Sequence, residues 1–253
     1  MFLVRPSFLR FMCVVLVVIY FVQSYAAVTE AFHICSVGES SRPTRPGMPA
    51  TLSHVALTAV SIDGYDDAFR IIDECAVKGE PSEQLFDAVR LIDKNALKIY
   101  PHEGHKQTLW DTAHGSWKLQ LATGGGQKTT FKSIPIFAFA VIDEINFGNG
   151  VGINADTIFM SLLGPHIFNI QRRQMTITIT DMYLGSNQVT KFVPQFVKDA
   201  MGIGKRPEDF KRAPAFTFIG ASDKALIARG GTGGIAIWTR LEKDVRPAAY
   251  GTQ

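Results

Sequence analysis

The chain is short of cysteine, of long apolar runs, of charge of one sign and of complete catalytic motifs, and each shortage closes off a class of function. Only three cysteines occur in 253 residues. Cys13 lies in an N-terminal apolar run and Cys35 soon after it, which leaves Cys75 alone in the body of the chain, where no internal disulfide can form. The net charge is +3 and includes basic residues near the N-terminus. No basic stripe with interleaved aromatics accompanies it, so nothing points to nucleic acid. The apolar run over residues 11–22 is about a dozen residues long, short of the roughly 20 that a spanning helix needs. No Gly-x-Ser-x-Gly elbow is present, and Cys75 has no evident His partner in the sequence.

Metal and phosphate chemistry are weakly represented too. His102, Glu103, His105 and His114 invite a metal reading, but their spacing fails the helical His-Glu-x-x-His pattern. Gly104 argues against helicity there, so residues 101–113 are expected to form a polar loop. The stretch 124–130 has Gln127 where a phosphate-binding loop needs Gly. The stretch 230–234 has Ala236 where a dinucleotide fingerprint wants its third Gly. Both run into strands and read as hairpin turns. No metal, cofactor or catalytic residue is assigned. Asp143, Glu144, Asp156 and Asp181 lie on strand-like segments and leave an enzyme reading open, with nothing to fix their separation.

At the N-terminus, Arg5 and Arg10 precede the apolar run and residues 24–32 supply small residues suited to cleavage, the pattern of a signal peptide. Residues 32–50 are Ser-, Thr- and Pro-containing, with Arg42 and Arg45 against one acidic residue, Glu39. This resembles the two-part presequence of algae with secondary plastids, with Phe32 as the first residue after the cut. An uncleaved anchor and a secreted protein with a disordered leader stay open. The expected organisation is a leader over 1–50 and one domain over 51–246, with a helical lead at 64–100 and strands at 115–241.

Ala68, Ile71, Ile72, Cys75 and Ala76 recur at helical spacing, stopped by Lys78 and Gly79. A second helix opens near Ser82 with Leu85, Phe86, Val89, Ile92 and Leu97 as its buried stripe. The hairpin is expected to cover the open end or one flank of a β structure. That structure begins at Gly115, where Trp117, Leu119 and Leu121 alternate with Ser116, Lys118 and Gln120. Further strands read at 136–147, 151–163, 167–170, 175–184, 215–220, 225–229 and 235–241, with turns at 148–150 and 222–224. The count suits an up-and-down antiparallel barrel, with a sandwich as the competing architecture. Residues 187–206 form a helical insertion divided at Pro194, its apolar residues set beside Lys191, Lys198, Lys205 and Arg206. It reads as a packed helix, a lid on a barrel mouth, or a patch touching an anionic membrane.

The helical lead, the Gly-x-Trp-x-Leu strand at Gly115, Trp117 and Leu119, and the closing motif over 226–238 together resemble the plastid lipid-associated proteins, or fibrillins. The resemblance covers roughly residues 64–241 and is loosest in the middle. Gly231 stands where that family usually has an acidic residue after Arg-Gly. The resemblance implies a mainly β fold, a lipocalin-like antiparallel β-barrel preceded by a helical hairpin. It also implies residence at thylakoids or plastoglobules and binding of a prenyl lipid, quinone or carotenoid, without catalysis. An interior lined by Trp117, Leu119, Phe137, Phe139, Val141, Phe159, Ile177 and Phe218 would take such a chain by burial alone. Some hundreds of Å² at about 25 cal/mol per Å² is on the order of 5 to 10 kcal/mol gross. A fully packed barrel without ligand space, and a coat protein of lipid bodies or a lipid-acting enzyme, are the alternatives. One of Arg229 and Arg240 is expected to stack on Trp117.

Overall fold

The computed structural model describes residues 64–124, 129–205, 214–231 and 233–245. The leader expected over residues 1–50 and the start of the domain lie outside them, as do residues 125–128, Thr232 and Arg206. The fold is mixed, with helices first and an antiparallel sheet after them. The helices are α1 (Tyr65–Lys78), α2 (Leu85–Lys94), α3 (Ala96–Ile99) and α4 (Glu103–Ala113). The strands are β1 (Gly115–Ala122), β2 (Lys132–Ser133), β3 (Phe137–Ile142), β4 (Asn146–Asn154), β5 (Thr157–Asn169), β6 (Gln174–Ile177), β7 (Asp181–Leu184) and β8 (Asn187–Gln188). After a 3-10 turn at Thr190–Phe192 and α5 (Gln195–Met201) come β9 (Ala215–Ala221), β10 (Ala225–Gly230) and β11 (Ile235–Arg240).

In α1 the residues Ala68, Ile71, Ile72, Cys75 and Ala76 are buried as the helical period requires. Gly79 ends the helix in the left-handed region, at φ 70°, and its N–H closes onto the Cys75 carbonyl. Leu85, Val89 and Ile92 of α2 are fully buried, but Leu97 is 71% exposed and does not extend their stripe. Asn95 breaks the period: its side-chain amide and its backbone N–H both turn back to the Leu91 carbonyl. The segment expected as a polar loop is α4. Gly104 sits in its first turn with nothing within 4 Å of a built Cβ. Burial of Leu109, Trp110, Ala113 and the Lys106 stem offsets the roughly 1 kcal/mol that a helical Gly costs.

The strands pair in the order β4-β3-β1-β11-β10-β9-β6-β5, and β5 pairs again with β4, so eight strands form a closed circuit of ladders. Its shortest join is β6 with β9, three residue pairs between Gln174–Thr176 and Ala215–Thr217. β7 continues along the same edge of β5 as β6, and β8 pairs with β7. One face of the circuit carries the main apolar cluster, with Trp117, Ala140, Ile142, Met160, Leu162, Met175, Ile177 and Phe218. α1 and α2 cover the opposite face over Leu121, Ile219, Ala225, Ile227 and Ile237, so the hairpin lies on a flank. Gly220 lets them approach; a Cβ there would meet the Phe69 ring at 3.1 Å. α3 and α4 instead contribute Ala96, Tyr100, Leu109, Trp110 and Ala113 to the main cluster.

Several expectations about the strands need correction: the strand read over 136–147 is broken between Ile142 and Asn146, and 167–170 is no separate strand, since β5 runs through to Asn169. Residues 148–150 are not a turn but the middle of β4, and the register sets Gly148, Gly150 and Gly152 opposite Val141, Phe139 and Phe137. A Cβ on Gly150 would lie 2.8 Å from the Phe139 ring, so the phenyl occupies the space a side chain would take. The strand read over 151–163 breaks at a two-residue turn, where the Asn154 carboxamide oxygen accepts from the N–H groups of Asp156 and Thr157. The strand read over 175–184 divides into β6 and β7 where it crosses Gly164, whose built Cβ would meet the Thr178 carbonyl oxygen at 1.8 Å.

Candidate functional site

One end of the circuit is built around Trp117. Its indole is fully buried, and its Nε1–H donates to the Ala113 carbonyl at 2.8 Å, which ties β1 to the end of α4. The Arg240 guanidinium lies 4.1 Å from the indole centroid, so the expected cation–π contact falls to Arg240. Arg229 instead pairs with Asp93 of α2. Arg240 also donates to the carbonyls of Thr112, His114 and Asp223, so one side chain caps α4 and covers the indole. Gly115 adopts φ 120°, and a Cβ there would stand 2.8 Å from Arg240 Nη1. Trp110 completes this end, stacked on Phe168 at 4.1 Å with His114 and His166 edge-on to it.

His114 Nε2 and His166 Nδ1 are buried and make no hydrogen bond to any described residue. Burial holds the His114 imidazole below its ordinary 6.5; His166 pushes the same way, against Asp111, Glu144 and Asp143. A folded-state value below the unfolded one means that the unfolded chain binds the proton more readily. Stability from this group is therefore complete above about pH 6.5 and is lost as pH falls below it. The melting temperature of the wild type should drop more steeply between pH 7 and pH 5 than that of His114→Gln. Parallel curves would show that His114 does not contribute to the acid sensitivity.

Away from Trp117 the face that carries the main cluster is apolar, and some of its side chains are only half-buried. Phe216 and Trp238 pack against the main cluster and remain half-buried, 6.1 Å apart edge to face, and Phe147 lies 6.1 Å from Phe216. Leu119, also half-buried, is paired with Trp238 across the β1–β11 ladder. Val189, Val193 and Met201, from the insertion after β8, pack on the same cluster beside Leu184. The insertion is divided at Pro194 as its sequence suggests, and its Phe192 and Phe196 point outward, 82% and 74% exposed.

The eight residues expected to line one interior separate into groups. Trp117, Ile177 and Phe218 are in the main cluster, and Leu119 is paired with Trp238, which packs against it. Phe137, Phe139 and Val141 are on the opposite face of β3, in a separate cluster with Val245, Leu241 and Ile158. The reason is the partner of Trp117: its indole lies opposite Ala140, so the inward residues of β3 must be small where the indole fills the space. Phe159 is 47% exposed, displaced by a bulge that pairs Val151 with Met160 and Gly152 with Ile158. A bulge at Gln120 likewise turns Leu121 away from Trp117 and toward α1 and α2. Phe216 and Trp238 were not singled out from sequence, although the alternation of Ala236 and Trp238 against Ile235 and Ile237 marks the face.

The four carboxylates weighed for acid–base work do not converge on a shared reacting position. Asp143 accepts from the N–H groups of Ile145 and Asn146 in a turn, Asp156 pairs with Lys243, and Asp181 accepts from Thr180 and Gln188. Among the described residues no group of three His, Cys, Asp or Glu side chains could hold a metal ion. A surface cleft of about 460 Å³ lies along α1, walled by Asp66, Arg70, Asp73, Glu74, Lys78 and Lys224, and is separate from the apolar interior.

No family model matches the chain, and no curated protein matches it. Among solved structures it is similar to a lipocalin-like protein from Bacteroides uniformis ATCC 8492, at 14% identity and a TM-score of 0.33, over 51% of this chain and 99% of that one. It is also similar to an uncharacterized protein from Bacteroides eggerthii DSM 20697, at 10% identity and a TM-score of 0.34, over 51% of this chain and 98% of that one.

Proposed function

We propose that this protein is a carrier that holds an apolar ligand inside a lipocalin-like antiparallel barrel, without turning it over. The observation that carries the reading is the set of inward-facing apolar side chains, Leu119, Phe216 and Trp238, that stay half-buried although the circuit of strands around them is closed. In a core packed to completion such side chains would be covered; here they offer area that a ligand would remove from water. Met160, Met175 and Met182, buried around the same interior, can adjust to the shape of a guest. The long apolar surface suits an isoprenoid chain, and a prenyl lipid, quinone or carotenoid is the class proposed. The test uses Trp238 as reporter: ligand binding should shield it from iodide, while Trp110 and Trp117, already buried, change little. Unaltered quenching across a series of prenyl lipids would overturn the carrier reading.

The two-part leader supports a plastid site of action, at a thylakoid or a lipid-body surface. A fluorescent fusion to residues 1–63 should enter the plastid. Its secretion to the medium would separate the carrier from that compartment.

A further inference from the structure

We infer that the insertion at 190–201 docks on an anionic lipid bilayer and so presents the apolar mouth to the membrane. The inference rests on the carrier reading for what is delivered, but not for the docking itself. Among the described residues Phe192 and Phe196 are the two most exposed of the large hydrophobic side chains, and they stand on either side of Pro194 in one short segment. A soluble surface gains nothing from two phenyl rings held in water four residues apart. The inner side of the same segment is occupied differently: Val193 and Met201 pack on the main apolar cluster. The outer rings are therefore not surplus from an unformed core.

Charge selects the partner. Lys191 is beside Phe192, Lys198 is two residues past Phe196, and Lys205 follows α5; the one acidic residue among them, Asp199, pairs with Lys205 at 3.1 Å. Three cations against one anion beside two exposed aromatics is the composition of an interfacial segment that places rings at the acyl boundary and ammonium groups at phosphate.

The experiment compares full-length wild type with Phe192→Ser/Phe196→Ser, so that the leader contributes equally to both. Binding is measured on vesicles of phosphatidylcholine with and without phosphatidylglycerol. The double variant should lose vesicle affinity about tenfold or more, while Lys191→Gln/Lys198→Gln should lose the preference for phosphatidylglycerol. Phe196→Trp emission should be quenched by lipids brominated in the acyl chain, and Ile167→Trp, at an equally exposed position on β5, should not. Absence of quenching at position 196, or equal vesicle binding by the Phe variant, would overturn the inference. So would self-association in the absence of lipid that the Phe substitutions remove, since the rings would then cover a second copy. The carrier reading fails separately: prenyl-lipid binding absent in water, with vesicle docking intact, refutes the carrier and leaves the docking surface.

Discussion

Trp117→Ala should lower the melting temperature by about 10 °C or more, from a loss of roughly 3 to 5 kcal/mol. The indole is fully buried and is held on three sides by different elements. Its truncation leaves a cavity opposite Ala140, strips the Ala113 carbonyl at the end of α4 of its donor, and removes the ring under Arg240. Gly115→Val attacks the same node from the backbone. A β-branched residue is strained at φ 120°, at about 1 to 3 kcal/mol, and its Cβ would displace the Arg240 guanidinium from 2.8 Å. Because Arg240 also holds the Thr112 and His114 carbonyls, the two substitutions share one loss and should be less than additive in a double-mutant cycle. Full additivity, or unchanged melting of either single variant, would mean that Trp117, Gly115 and Arg240 do not act as a unit.

That node was legible in part: a guanidinium over Trp117 was expected from Arg229 or Arg240, and it comes from Arg240. A glycine two residues ahead of an inward Trp suits a tight backbone entry, and Gly115 takes φ 120° there. The strands were legible as strands because a period of two survives in any half-buried ladder. Which face each strand turns inward was less legible, for two physical reasons. Bulges at Gln120 and Phe159 insert one residue and exchange the faces, and no local composition announces them. On β3 the larger side chains, Phe137 and Phe139, look like core by volume, yet they lie outside over a glycine-rich neighbour and under Val245, while alanine faces the crowded interior. α4 was missed for a third reason. Its N-terminal half is polar and holds Gly104, and the helix is stabilised by contacts of Leu109 and Trp110 made with strands far along the chain.

The candidate site shifted accordingly, and the shift makes a sharp contrast available. Phe159 and Phe216 are both phenylalanines on strands, and only Phe216 packs against the main apolar cluster. On the proposed carrier function, Phe216→Asp should weaken binding of a prenyl lipid on the order of 100-fold, since a carboxylate desolvated beneath a ligand costs several kcal/mol and each 1.4 kcal/mol is tenfold. Trp238→Asp, two strands over and with its ring 6.1 Å from that of Phe216, should do the same. Phe159→Asp should leave affinity unchanged, because its ring is already 47% exposed on the other side of the strand. All three proteins must first show a cooperative melt, so that loss of binding is separated from loss of fold. Added salt should alter the wild-type affinity little, because removal of apolar area from water rather than charge pairing drives it. Wild-type affinity in folded Phe216→Asp and Trp238→Asp, or a loss confined to Phe159→Asp, would move the ligand from the interior to the outer surface of β5.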